Sequence, residues 1–408
     1  MPDQANSLKA ETLTSQLSLA PGLSPFHESS QFKHWRFSLA ALETLRLELN
    51  SKSVEVAKRN TELEKKAQKS LGHDIPDPPP STTYLTVADE LLLLRFYCLQ
   101  VSKICRQGFG LSEAVESTAI SYVKRFYLKN SVMEWHPKII MPTCLFLAAK
   151  TTNFPIPVDV FVSKIPKLSA DDVLEKEFLV AQSLGFEFWV RGPHKPLRGW
   201  GLELQDQLDP PAEMILKALP IALNYLSTSY LTDAELIFTP SQISLACWRM
   251  ADKMLVESFL EQRYTTAFSN TGIPNGMTDD KSSEKDDGED EGTLNDSYQY
   301  PLYGLTRSRL LEILDQIQEM ISSTEGDIDL KKVKEIDKRL RQCANPEKIP
   351  GTALYIRRKQ EKETAEKADK VAKSLKAQAS AMENDVFFGG TIPADSKNEA
   401  PETDVAQG

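Results

Sequence analysis

The chain has 408 residues, 41% of them apolar, and a formal net charge of −10. That length holds two to three domains with real cores. The acidic balance argues against a phosphate backbone as the main partner, because the long-range field would repel it.

Residues 1–29 are rich in Ser, Thr and Pro and are expected to be disordered; they show no apolar run of a secretory signal. Order is expected from Ser30, and Ser38 caps a helix through Leu39, Leu42, Leu45 and Leu49, with a charged extension to Lys69. Pro76-Asp-Pro-Pro-Pro80 ends it in an extended linker, so 30–83 read as an N-terminal helix plus linker.

A first helical domain is expected over 84–190. Its first helix starts at Thr86 and is apolar nearly all round, from Leu91 to Ile104, which predicts the central position. Ser112 opens the second, which buries Val115, Ala119, Ile120, Val123 and Phe126. The third covers 137–150, with a Pro142 that kinks or opens it, and a short fourth covers 158–165. Ser169 caps the fifth, with Val173, Leu174, Phe178, Leu179 and Leu184 on its buried side and Gly185 as its stop.

The pattern restarts over 191–323. Helices are expected at 197–208, from Pro211 through Leu226, at 239–255, around 256–264 and at 305–322. Between the last two lies an acidic insert, 266–299, carrying Asp279, Asp280, Glu284, Asp286, Asp287 and Glu289 with almost nothing apolar, and it reads as a flexible loop. A basic amphipathic helix follows within 324–346. Residues 347–408 read as a charged, mostly disordered tail, helix-prone over 357–382 through pairs such as Glu363 with Lys367 and Asp369 with Lys373.

Two phrases repeat. Pro142-Thr-Cys-Leu-Phe-Leu-Ala148 and Pro240-Ser-Gln-Ile-Ser-Leu-Ala246 share Pro-x-x-[Leu/Ile]-x-Leu-Ala, 98 residues apart from Pro142 to Pro240. Each is read as an apolar helix with Pro in its first turn, where the missing N–H costs nothing. The spacing suits two copies of a small helical domain, hence an all-α chain of two five-helix units, and a binding scaffold before an enzyme.

Catalytic constellations are missing. Gly108-Phe-Gly110 lacks the further glycine of a phosphate loop, no HExxH occurs, and the five histidines share no ligand spacing. Cys98, Cys105, Cys144, Cys247 and Cys343 form no CxxC pair and read as packing residues of a reducing compartment. No metal, cofactor or catalytic residue is expected. The longest apolar-looking run, 139–149, is well short of the roughly 20 residues that span a bilayer, so a soluble, intracellular chain without membrane contact is expected.

The stretch Tyr122-Val-Lys-Arg-Phe-Tyr-Leu-Lys-Asn-Ser-Val-Met-Glu-Trp-His-Pro-Lys-Ile-Ile-Met-Pro-Thr-Cys-Leu-Phe-Leu-Ala-Ala-Lys150 resembles a first cyclin box. Ser30-Gln-Phe-Lys-His-Trp-Arg-Phe-Ser38, Pro193-His-Lys-Pro-Leu-Arg-Gly199 and Leu231-Thr-Asp-Ala-Glu-Leu-Ile-Phe-Thr-Pro-Ser-Gln-Ile243 are similar to other segments of that family, in order, over roughly 28–346. The likeness is narrowest to the branch that pairs with the TFIIH kinase.

The resemblance implies two tandem five-helix boxes with flanking helices and a non-catalytic subunit that activates a cyclin-dependent kinase. It implies phosphorylation of the RNA polymerase II C-terminal repeats by the complex, a third assembly subunit, contact with the TFIIH core through the complex, no direct nucleic acid, and a nuclear location. Kinase contact falls by resemblance on Lys150, ending helix three, and Glu177 in helix five, with Phe146, Leu174 and Phe178 in the apolar patch around them. Two departures stand: Thr151-Thr-Asn153 replaces the acidic residues many cyclins carry there, and Leu91-Leu-Leu-Leu-Arg95 is not the Met-Arg-Ala-Ile-Leu substrate-docking patch. A cyclin of an elongation or Mediator kinase is the alternative in the same class. A TFIIB-like DNA-binding factor is the alternative of another class; it would want an N-terminal zinc ribbon and a basic surface.

Overall fold

In the computed structural model the described residues are 26–71, 84–210, 212–270, 304–324, 326 and 328–387. The expected disorder of 1–29 falls almost wholly outside them, as do the Pro-rich linker, the acidic insert from 271 and the end of the tail. Two compact units emerge, one of 60–75 with everything from Pro346 onward, the other of the residues up to and including Asn345 that remain.

Every element among the described residues of the larger unit is a helix, joined by turns and short irregular segments. It opens with α1 (Ser30–His34) and the first part of α2 (Leu39–Ser70). Box one follows as α3 (Val87–Lys103), α4 (Glu113–Phe126), α5 (Pro137–Thr151), α6 (Val158–Ser163) and α7 (Ala170–Ser183). Box two is α8 (His194–Leu208), α9 (Ala212–Ser229), α10 (Ala234–Ile237), α11 (Pro240–Ala251), α12 (Lys253–Asn270) and α13 (Arg307–Ser322), after which α14 (Leu330–Cys343) closes the unit.

Local chemistry sets the starts. Thr86, Ser169 and Thr239 each close a capping box with the residue three further on, satisfying two backbone donors at once. The helix expected over 239–255 is split. It stops at Ala251, and Asp252 leaves helical geometry (φ −148°, ψ 98°) to accept the Leu255 N–H, so the next helix begins at Lys253 and runs into the segment read as insert. The short α10 was not foreseen.

The centre of box one also differs from expectation. In α5 eleven residues are buried, from Pro137 to Ala149, and twelve in α4, whereas α3 buries only Leu93, Tyr97, Cys98 and Val101. The all-round apolar character of α3 has another cause, since α14 packs along it. Pro142 lies inside α5 rather than in its first turn, because Pro137 already starts the helix; Pro240 does occupy the first turn of α11.

The repeated phrase is core in both boxes. Leu145, Ala148, Leu245 and Ala246 are at most 1% exposed. Carrying the register forward, Lys150 of box one corresponds to Trp248 of box two. Trp248 is fully buried, donates its indole N–H to the Leu197 carbonyl at 2.8 Å, and lies so close to α8 that a Cβ on Gly201 would come within 2.9 Å of its ring. Box two therefore spends on its own core the position at which box one shows a cation.

The N-terminal segment clamps the boxes. Trp35 is 3% exposed, packs with Leu42, Leu128 and Leu236, and donates to Glu187 at 2.5 Å. The Gln31 side chain accepts the Arg191 N–H at 2.8 Å, and Arg46 bonds Asp233 with two contacts of 2.7 Å. Lys124 of α4 reaches Glu235 at 2.9 Å. The five cysteines are free and buried, and burial pushes the Cys98 and Cys105 thiols up to about 12.

In the smaller unit, residues 353–387, read as mostly disordered tail, form α15 (Ala353–Phe387). Its start is fixed from a distance: Glu64 of α2 accepts the Ala353 and Leu354 N–H groups at 2.8 and 2.9 Å. A carboxylate on two orphan amides at a helix N-terminus is a strong cap. No helix among the described residues is long and apolar enough to cross a membrane.

Candidate partner-binding site

Lys150 is in the last turn of α5, where a cation also complements the helix dipole. Its Nζ meets Glu177 Oε1 of α7 at 2.5 Å and stands 5.1 Å above the Phe146 ring. The pair stays open to solvent, with 43% and 22% of the two side chains exposed.

The surrounding side chains divide differently from the sequence expectation. Leu174 and Phe178 were placed on the buried side of helix five, but they are 46% and 68% exposed. The buried stripe of α7 is Val173, Val180 and Ala181, continued by Leu184, and Leu174 and Phe178 sit about 100° round the helix from it. Phe146 goes the other way. At 4% exposure it lies beneath Lys150, its ring 5.2 Å from that of Phe161, so it supports the cation rather than offering surface.

Three exposed aromatics were not foreseen: Phe154, Phe186 and Trp189, at 48%, 55% and 64%. Two of them are set by helix ends of the same design. After α5, Asn153 takes a left-handed φ of 62° and the Phe154 N–H returns to the Ala149 carbonyl. After α7, Gly185 does so at φ 63° and the Phe186 N–H returns to Ala181. This six-to-one bond projects the following residue away from the helix. Phe186 is itself left-handed, at φ 59°, a costly geometry for a bulky residue, and its ring touches Phe178 and Phe188 at centroid distances of 6.1 and 6.2 Å. The available signal was a αL-prone Asn or Gly directly before an aromatic at the end of a helix.

Thr151 and Thr152, standing where acids were the family expectation, serve the helix end. Thr151 Oγ1 lies 2.9 Å from the Tyr122 hydroxyl, and Thr152 Oγ1 donates to the Ala148 carbonyl at 2.7 Å. Among the described residues no group of His, Cys, Asp and Glu is arranged to hold a metal. The surface is thus a charged pair with exposed apolar side chains on the same helices and in the turns that follow them, which suits protein contact.

Residues 91–188 match the family model for the cyclin N-terminal domain, and 192–322 that for the cyclin C-terminal domain. The chain belongs to the cyclin family. Within it the chain is cyclin-H-like: it is 30% identical over 247 residues to Cyclin-H1-1 of Arabidopsis thaliana, covering 57% of this chain and 72% of that protein. It is 27% identical to Cyclin mcs2 of Schizosaccharomyces pombe over 89% of this chain and 98% of the other, while the match to Cyclin CCL1 of Saccharomyces cerevisiae, 33% identical over 59% of this chain, spans 61% of that relative. Among solved structures it is similar to a chain of the yeast TFIIK (Kin28/Ccl1/Tfb3) complex, with TM-score 0.51 and 26% identity over 72% of this chain and 99% of the other.

Proposed function

We propose that the chain is a non-catalytic subunit that binds and activates a cyclin-dependent kinase, the kinase of TFIIH. The observation that carries this is the solvent-open Lys150–Glu177 pair edged by Leu174, Phe178, Phe154 and Phe186. The exposed apolar groups supply affinity, and the charged pair fixes orientation through hydrogen bonds to kinase backbone. A rigid partner face of this kind acts by population shift: it favours the kinase conformation with its regulatory helix turned inward, so that the kinase's own Lys–Glu pair forms.

The TFIIK complex named above contains Ccl1, a relative of this chain, beside Kin28 and Tfb3, and this supports both a kinase and a third assembly subunit as partners. The third subunit is assigned to the flanking helices, over 38–50 and 330–343. In this reading 84–190 and 191–323 are the working boxes, the complex phosphorylates RNA polymerase II C-terminal repeats, and it works in the nucleus, joined to the TFIIH core.

The test is reconstitution. The chain, co-expressed with its organism's TFIIH kinase, should co-purify with it and stimulate phosphorylation of a heptad-repeat peptide. A kinase equally active with and without the chain would reject the reading.

A further inference from the structure

The two turns that carry Phe154 and Phe186 are tied to one another inside the protein. Tyr122 of α4 is fully buried, and its hydroxyl lies 2.5 Å from the Phe188 carbonyl and 2.9 Å from Oγ1 of Thr151, the last residue of α5. A carbonyl only accepts, so Tyr122 donates to Phe188 and Thr151 donates to Tyr122. Burial pushes the phenol up to about 12, and the donor keeps its proton at neutral pH. One chain of hydrogen bonds therefore runs from the end of α5 through α4 to the segment after α7. Phe154 lies three residues beyond Thr151, and Phe186 lies two residues before Phe188.

The second turn is strained. Gly185 and Phe186 are both left-handed, at φ 63° and 59°, and a phenylalanine stays there only where its surroundings over-determine it. Arg125, one turn along α4 from Tyr122, donates to the Glu187 carbonyl at 3.3 Å, so α4 grips two successive carbonyls directly after Phe186. Thr151 does not need Tyr122 to be satisfied. Its single proton has the Leu147 and Ala148 carbonyls, at 3.1 and 3.2 Å, as alternative acceptors. What the contact with Tyr122 adds is a fixed register between two helix ends, at the position where many cyclins carry an acid.

We propose that Tyr122 and Thr151 are positioning residues for kinase activation, an inference that rests on the kinase reading of the Lys150 surface. Their hydroxyl pair is an internal strut. It holds the end of α5 against the segment after α7, so that Phe154 and Phe186 meet the kinase at one set spacing beside the Lys150–Glu177 pair. Neither residue touches the kinase; each acts through the turns it holds. The gain is preorganisation, because two turns already in register need no ordering when the partner binds.

The experiment titrates the full chain into its organism's TFIIH kinase and reads the midpoint of activation, beside thermal melting of the free chain. Tyr122→Phe keeps the ring and removes the strut, Thr151→Val removes it from the other side, and Thr151→Ser keeps a hydroxyl. Ser244→Ala is the control, since it also takes a buried hydroxyl from a linker carbonyl, that of Pro193, but in box two. Tyr122→Phe and Ser244→Ala should each lower the melting temperature by a few degrees. Only Tyr122→Phe and Thr151→Val should raise the midpoint, by about five- to tenfold, with Thr151→Ser close to wild type and the double variant no worse than Tyr122→Phe. Hydrogen exchange of the free chain should quicken at 152–156 and 186–190 in Tyr122→Phe and not in Ser244→Ala. Three results overturn the proposal: an unchanged midpoint in both hydroxyl deletions, an equal rise in Ser244→Ala, or additive losses in the double variant. The kinase reading survives those failures if Lys150→Ala with Glu177→Ala still raises the midpoint, whereas a wild-type chain that does not stimulate the kinase removes both.

Discussion

Lys150 Nζ lies 2.5 Å from Glu177 Oε1 and 5.1 Å from the centre of the Phe146 ring, so one ammonium is held by a carboxylate beside it and an aromatic face below. With much of the pair exposed, its contribution to folding is below about 1 kcal/mol. Lys150→Ala combined with Glu177→Ala should leave circular dichroism and the melting curve close to wild type. Kinase co-purification and stimulated activity should fall about tenfold or more, as for an interface hot spot. Undiminished activity in that double variant would remove the pair from the site.

Phe178 and Phe186 touch one another and are mostly exposed. Replacing both with Ser should cost the isolated chain little, because little buried area is lost, and Phe186→Gly should slightly stabilise it by relieving a left-handed phenylalanine. Both changes should weaken kinase capture in a pull-down. A large drop in thermal stability would show that these rings are core.

Trp35 is clamped from several sides, with the Arg125 and Lys129 charges 5.0 and 4.6 Å above its ring and its N–H on Glu187. Trp35→Ala should destabilise the chain by about 3–5 kcal/mol, measured by urea unfolding. Leu128 and Leu236 would be left facing a cavity.

His136 links α5 to α14 in one tautomer. Its Nε2 donates to Asp337 at 2.9 Å, and its Nδ1 accepts the Lys138 N–H at 3.0 Å. Burial holds the imidazole below its usual 6.5 despite Asp337, with Lys138 and Arg341 acting in the same direction as burial. A base with a lowered folded-state value takes up its proton first in the unfolded chain. Stability should therefore fall as pH drops through 6.5 and level off once the folded histidine also protonates. Asp337 is also held low, by Arg341 and His136 against burial, and adds its own loss only at more acidic pH. Amide exchange in α14 should speed up between neutral and mildly acidic pH, and His136→Asn, an N-cap that does not titrate, should flatten that response.

Glu64 caps α15 through the Ala353 and Leu354 amides. Glu64→Ala should cost about 1 kcal/mol of helix stability and lower the far-ultraviolet helical signal. Glu64→Gln keeps acceptors without the charge and should lie between.

The two boxes were legible because their information is local. Caps at Thr86, Ser169 and Thr239 and the repeated Pro-x-x-[Leu/Ile]-x-Leu-Ala phrase each act within a few residues, and apolar periodicity fixes helix after helix. The resemblance through Lys150 and Glu177 pointed to two side chains that the fold brings into contact although 27 residues separate them. The same local reading failed where a neighbour decides. Helix α3 looked central because its outer face is apolar, yet that face belongs to α14. Glu64 carries no sign in its own surroundings that it will cap a helix almost three hundred residues later.

By itself the sequence determined the all-helical class, the duplication and the family, since helix periodicity, capping and motif order are written along the chain. Only the tertiary structure decided which apolar residues are core and which are surface. Leu174 and Phe178 are as apolar in the sequence pattern as Val173 and Val180, and only the packing of α7 against α5 separates them. The Lys124–Glu235 pair likewise exists only once the two boxes are brought together, because an ion pair is a property of an environment and not of a residue.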